Sequence, residues 1–138
     1  MTIRGHVVDA SVLVAAMVDS AVDGQWAEDV VGAGHLVAPQ LAVVETLNIL
    51  RRMEASGQIT DLEATASQRD LHQLPIELMP IRPFEERIWQ LRANLTSYDA
   101  WYVAVAEALE LPLATLDRRL AQAPGPECEF ELPDGARL

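Results

Sequence analysis

The chain alternates short, wholly apolar runs with longer segments of helical period, and glycine, proline or a capping residue closes most of them. A β-branched run at residues 5–8 ends in Asp9 and predicts a strand. Residues 11–18 are apolar on every side, as a buried helix is. Gly24 and Gly32 bracket a second helical segment around Trp26. Residues 35–38 read as a strand, and Pro39 suits the start of a helix over about 40–55 that stops near Gly57. Thr60 and Glu63 have the spacing of a capping box for a helix running to about Leu74. Pro75, Pro80 and Pro83 frame a strand over 76–81, and a helix is expected over about 84–95. Thr96 or Ser97 then caps a very apolar helix that runs to Leu109. A strand over 113–116 leads to Asp117, a short helix follows, and residues 129–132 read as a last strand.

Short apolar strands alternating with helices predict an α/β fold with a mostly parallel central sheet flanked by helices. With 138 residues and no linker, repeat or low-complexity stretch, a single domain over 1–138 is expected. In such folds the working site lies beyond the carboxyl ends of the strands, where strand order reverses. The residues that follow each strand are therefore the first candidates.

Composition narrows the chemistry. Half the residues are hydrophobic, so the chain can build a core without disulfides or a structural metal. Cys128 is the one cysteine, which removes a cysteine-based zinc site. All 10 basic residues are arginines, which removes the P-loop lysine, Schiff bases and lysine general bases. His6, His35 and His72 have no metal-binding spacing. No apolar run approaches the ~18 residues of a membrane span. Residues 1–6 carry no apolar leader, so a cytoplasmic protein is expected. The formal net charge of −11 makes a poor non-specific nucleic-acid binder, so action on nucleic acid would need local compensation from a divalent metal or arginines. Solubility explains the acidity equally well.

Four carboxylates stand out. Asp9 and Asp117 each end a strand and begin a helix, where capping alone would explain either. Glu45 interrupts the apolar stretch Leu41-Ala42-Val43-Val44-Glu45-Thr46-Leu47, with Asn48 and Arg52 on its face. Asp99 opens the most apolar helix, where an isolated charge is costly unless the first turn or a cap relieves it. All four could converge at one end of the sheet. Charges ~4 Å apart repel by about 4 kcal/mol at an effective dielectric of 20. A divalent cation relieves that, and oxygen-only ligands favour Mg²⁺ or Mn²⁺. Such ions activate water for phosphodiester hydrolysis.

At this point the residues resemble a known family, the PIN-domain ribonucleases, and in particular the VapC-type toxins of bacterial toxin–antitoxin pairs. The matching pieces are Val7-Val8-Asp9-Ala10-Ser11, Val44-Glu45-Thr46-Leu47-Asn48-Ile49-Leu50-Arg51-Arg52, Leu95-Thr96-Ser97-Tyr98-Asp99-Ala100-Trp101-Tyr102-Val103-Ala104 and Ala114-Thr115-Leu116-Asp117-Arg118-Arg119-Leu120. They occur in the family's order and cover essentially the whole chain. The resemblance implies that Asp9, Glu45, Asp99 and Asp117 form a metal-binding quartet, with Ser11 and Thr115 supporting them. It implies Mg²⁺- or Mn²⁺-dependent endonuclease cleavage of RNA, a co-expressed antitoxin that occludes the site, and a homodimer. Some relatives carry another acid where this chain has Arg119, so a fifth carboxylate ligand is not expected. Arg118 and Arg119 could contact phosphate instead, and Asn48 and Arg52 could touch RNA or antitoxin. Exposed helix surface explains these residues as well.

The remaining conspicuous residues are expected to be structural. Trp89, Leu91 and Leu95 read as core or partner surface, Trp101 and Tyr102 as packing, and the acidic tail as solvated surface. Cys128 is assigned no role. Two rival functions stay open. One is a PIN-like module that keeps its carboxylates but acts through partner assembly. The other is a receiver-like phosphate enzyme, which the absence of lysine disfavours.

Overall fold

A computed structural model describes residues 4–18 and 21–134. The leader expectation falls at residues 1–3 outside the described residues. Among those described, five parallel strands form one sheet: β1 (Gly5–Val8), β2 (His35–Pro39), β3 (Ile76–Met79), β4 (Leu113–Ala114) and β5 (Phe130–Glu131), in the order β3-β2-β1-β4-β5. Helices α1 (Ala10–Val18) and α2 (Val22–Gly32) join β1 to β2. Helices α3 (Leu41–Ala55) and α4 (Asp61–Gln73) join β2 to β3. A 3-10 turn at Arg82–Phe84, α5 (Glu85–Gln90) and α6 (Ser97–Leu109) lead to β4, and α7 (Arg118–Gln122) leads on to β5. The α/β alternation and the parallel sheet are as the apolar pattern predicts.

Strand β1 lies at the centre because it is apolar on both faces. Val7 pairs with Val37 on one side and Leu113 on the other, and all three are fully buried. Buried parallel strands read as continuous apolar runs because helices cover both faces. The main cover is α6, which lies across β1, β2 and β4. Its small residues Ala100, Val103, Ala104, Val105 and Ala106 are all buried, and they let the helix backbone approach the sheet. Gly5 serves a similar end, since a Cβ there would sit 2.0 Å from the His35 carbonyl oxygen on β2.

Expected boundaries differ from the observed ones where a side chain captures a backbone group. The strand expected over 76–81 stops at Met79, because Pro80 has no N–H to continue the ladder. The helix expected over 84–95 becomes a 3-10 turn containing Pro83 followed by α5, which ends at Gln90. There the Arg92 guanidinium donates to the Trp89 carbonyl at 2.8 Å, and Leu91 closes the turn on Arg87 and Ile88. The strand expected over 113–116 keeps only Leu113 and Ala114, since the Leu116 N–H donates to the Ser11 hydroxyl at 3.2 Å instead. Two caps are as expected. Thr60 and Glu63 exchange both bonds of the capping box, each 3.1 Å. The Thr96 hydroxyl accepts the Asp99 N–H at 3.2 Å.

One ion pair fixes α6 from outside. Arg87 on α5 donates to both carboxylate oxygens of Glu107 on α6, at 2.6 and 3.0 Å, and to the Gly125 carbonyl at 3.1 Å. Glu107 also accepts the Glu127 N–H at 2.7 Å. Burial raises the Glu107 pKa, but the Arg87 and Glu127 bonds outweigh it and hold the carboxyl below its usual range. Arg87→Ala leaves a half-buried carboxylate without its cation. It is expected to lower unfolding stability by about 2 kcal/mol, measured by urea denaturation; an unchanged midpoint would show that the pair does not hold α6.

Candidate active site

Strand order reverses at β1, with β2 and β3 on one side and β4 and β5 on the other. The crevice beyond β1 and β4 is thus the topological switch point of the sheet. Asp9 and Thr115 are brought there by the ladder itself. One step past the strands, the Asp9 N–H donates to the Ala114 carbonyl at 3.3 Å and the Thr115 N–H to the Glu131 carbonyl at 3.1 Å.

Asp9 is 9% exposed. Its Oδ1 accepts from the Ser11 hydroxyl at 2.5 Å and the Val12 N–H at 3.2 Å, and its Oδ2 accepts from the Thr115 hydroxyl. Burial nevertheless raises its pKa, against the opposing pull of those bonds. Among the described residues no ion pair includes Asp9, Glu45, Asp99 or Asp117, so none neutralises these carboxylates.

Thr115 is fully buried and works in two directions. It donates to Asp9 and accepts the Asp117 N–H at 2.9 Å. Asp117 caps α7, its Oδ1 accepting from Arg119 and Leu120 N–H at 3.0 and 3.2 Å. Capping thus occupies one oxygen of Asp117 and leaves the other open. Asp99 sits in the first turn of α6, half-buried. Burial raises its pKa, and so does the field of Asp117, while the Thr96 bond opposes them.

Glu45 lies on α3, and its Oε1 accepts the Tyr102 hydroxyl at 2.5 Å. Tyr102 is therefore more than packing, which corrects the sequence reading. Its ring is buried in the core, but its hydroxyl ends among the acids. Its pKa is pushed up by burial first, then by the Glu45 bond and the charges of Glu45, Asp9 and Asp99. The phenol consequently stays protonated and donates. The signal was available in the sequence: Tyr102 follows Asp99 by three residues, on the same side of the helix.

The four acids are thus linked by field and hydrogen bond, but not drawn into a cage. Among the described residues, no three histidine, cysteine, aspartate or glutamate side chains stand close enough to grip one ion. Ligation by more than two acids requires side chains to rotate. The donor set is all oxygen and uncompensated, which suits a hard divalent cation.

Most of the other candidates lie on exposed helix surface. Asn48 is exposed on α3, where its Oδ1 accepts both Arg51 nitrogens at 3.1 and 3.0 Å, and Arg52 is exposed beside it. Arg118 and Arg119 are exposed in the first turn of α7. Leu91 is buried as expected, but Trp89 is exposed, with the Arg92 guanidinium 4.4 Å above its ring. Trp101 is half-buried, and its indole N–H has no partner among the described residues.

The chain belongs to the PIN domain family, whose model matches residues 6–126. It is 42% identical over 130 residues to the protein named Ribonuclease VapC1 of Mycobacterium tuberculosis (strain ATCC 25618 / H37Rv), covering 90% of this chain and 98% of that one. Its structure resembles the crystal structure of PAE2754 from Pyrobaculum aerophilum, with a TM-score of 0.67 and 25% identity, over 86% of this chain and 78% of that one. It shares its fold with VapBC-5 of Mycobacterium tuberculosis, described as a member of the VapBC family of toxin-antitoxin systems, at TM-score 0.54 and 20% identity, covering 93% and 96% of the chains.

A raised pKa means that folded Asp9 binds its proton at a higher pH than the 3.8 of an ordinary aspartate. Its contribution to stability is full below 3.8 and is lost as pH rises through the folded value. Asp99 has the same sign. Without added metal, Asp9→Asn is therefore expected to raise the melting temperature at about pH 7, with the gain shrinking as pH falls toward 4. A lower melting temperature for the variant across that range would contradict burial as the dominant cause. Tyr102→Phe keeps the ring in the core and frees Glu45. It is expected to cost about 1–2 kcal/mol by urea denaturation, and no loss would show that the bond contributes nothing.

Proposed function

We propose that this chain is a divalent-metal-dependent endoribonuclease that serves as the toxin of a toxin–antitoxin pair. The observation that carries the reading is Asp9: a buried carboxylate that no ion pair among the described residues neutralises, at the switch point of a PIN-domain sheet, electrostatically linked to Glu45 and Asp99 through Tyr102. Membership of the PIN family and the name Ribonuclease VapC1 on a relative 42% identical over nearly its whole length support it. The toxin–antitoxin assignment draws on the VapBC description of a structural neighbour. A cognate antitoxin over the acidic mouth and a homodimer are part of the proposal.

In this mechanism Asp9 and Asp99 would hold Mg²⁺ or Mn²⁺, with Glu45 and Asp117 completing its surroundings. A divalent ion bound there would activate a water and offset charge on the phosphate. The water oxygen bonds to phosphorus as the bond to the departing ribose oxygen breaks. The water loses a proton and the departing oxygen gains one. Ser11 and Thr115 hydrogen-bond the Asp9 carboxylate before an ion enters. Tyr102 does the same for Glu45. The capping bonds of Asp117 keep its open oxygen in place.

One observation favours a second reading, a PIN-type binding module with weak or no activity. The described acids do not stand ready to grip one ion. Mn²⁺ separates the two. The nuclease is expected to melt higher with Mn²⁺ and to generate discrete new RNA 5′ ends when expressed in a bacterial host. Asp9→Ala or Asp99→Ala should fold, lose most of the Mn²⁺ shift and cut at least ~100-fold more slowly. Full cleavage by either variant would refute the assignment. A folded wild type with no Mn²⁺ shift and no new ends would select the binding module.

A further inference from the structure

Beside the acids lies a cavity of about 380 Å³, lined by Asn94, Leu95, Thr96, Asp99, Asp117, Arg119, Leu120 and Ala123. That is within the roughly 300–1,000 Å³ range of small-molecule sites. Its lining is mixed: Leu95, Leu120 and Ala123 are apolar, while Asn94, Thr96 and Arg119 are polar. Asp99 and Asp117 belong to both cavity and carboxylate cluster, so whatever fills the cavity lies against the reacting centre.

Among the described residues two side chains here enter no hydrogen bond or ion pair. Among the described residues the Arg119 guanidinium enters none of the ion pairs, although two aspartates line the same cavity. Arg119 is the one cationic group in the lining. In a chain of net charge −11, a cation beside an acidic mouth is where a phosphate would be tolerated. Asn94 is exposed, and among the described residues only its backbone is engaged, its N–H donating to the Leu91 carbonyl at 3.1 Å. Its amide offers a donor and an acceptor together, the pairing that a base edge requires.

We propose that this cavity is a nucleoside subsite for single-stranded RNA, taking the nucleotide next to the scissile phosphate; this rests on the ribonuclease reading above. Leu95, Leu120 and Ala123 receive a face of the base. Asn94 reads the base edge and so sets sequence preference at that position. Arg119 holds the flanking phosphate by charge and fork geometry. The acids hold the ion and repel phosphate, while Arg119 supplies local attraction. Unpaired bases suit such a pocket because their edges and faces are free.

The test uses the full chain with Mn²⁺ and short single-stranded RNAs. Arg119→Ala is expected to raise KM about 10-fold, equivalent to about 1.4 kcal/mol, with kcat and the Mn²⁺ melting shift nearly unchanged. Arg69→Ala, which removes the same charge from α4, should leave KM within about twofold. Asn94→Ala should relax base preference at one position beside the cut. Equal effects of Arg119→Ala and Arg69→Ala, or an unaltered cleavage pattern in Asn94→Ala, would overturn the subsite. NMR titration with each of the four nucleoside 5′-monophosphates, without metal, gives a second readout. Saturable shifts at Asn94 and Arg119 that vanish in Asn94→Ala support the subsite; no shifts overturn it. A wild type that cuts no RNA yet shows those shifts would overturn the nuclease reading alone.

Discussion

A charge buried where a parallel sheet reverses its strand order is the constraint around which this molecule is arranged. Asp9 has little access to water and no ion pair among the described residues. An isolated buried carboxylate is unfavourable, so its bonds from Ser11, Thr115 and the Val12 N–H are needed to keep it in place. The Thr115 bond exists only because β1 and β4 are neighbours. The ladder past Val8 carries Asp9 and Thr115 to the same height, over 100 residues apart in the chain. The shortness of β4 follows from the same demand, since Ser11 draws the Leu116 N–H out of the sheet.

Helix α6 joins core and site in one element. Its alanines and valines bury the centre of the sheet, and its first turn presents Asp99. Tyr102 does both, with its ring in the core and its hydroxyl on Glu45 of α3. A polar tip on a buried aromatic body is how such a side chain ties a surface carboxylate to a rigid frame. The Arg87–Glu107 pair secures the far end of the helix to α5 and the segment around Gly125. Stability and site geometry are therefore coupled through one helix.

Much was legible beforehand because it depends on short-range rules. Apolar runs before Asp9 and Asp117 marked strands, and period and caps marked the helices, down to both bonds at Thr60 and Glu63. Asp9, Glu45, Asp99 and Asp117 stood out as charges in apolar settings. Element ends were less legible. Helix α5 stops where the Leu91 and Arg92 N–H groups turn to the Ile88 and Trp89 carbonyls, three residues back, and no propensity encodes that. Of the two readings of Trp89, core or partner surface, the structure excludes core: it stands exposed beneath Arg92, off the α5 face that buries Ile88 and Leu91.

By itself, the sequence determined the class of fold, the candidate acids and the lack of lysine or paired-cysteine chemistry. Local periodicity and residue chemistry suffice for each of these. Only the tertiary structure decided which groups meet: Asp9 with Thr115, Glu45 with Tyr102, Asp99 with Asp117, and Asn94 with Arg119 across one cavity. Each of those pairs spans elements whose distance depends on strand order and helix packing. Such distances arise from the summed burial of the whole chain and from no single segment of it.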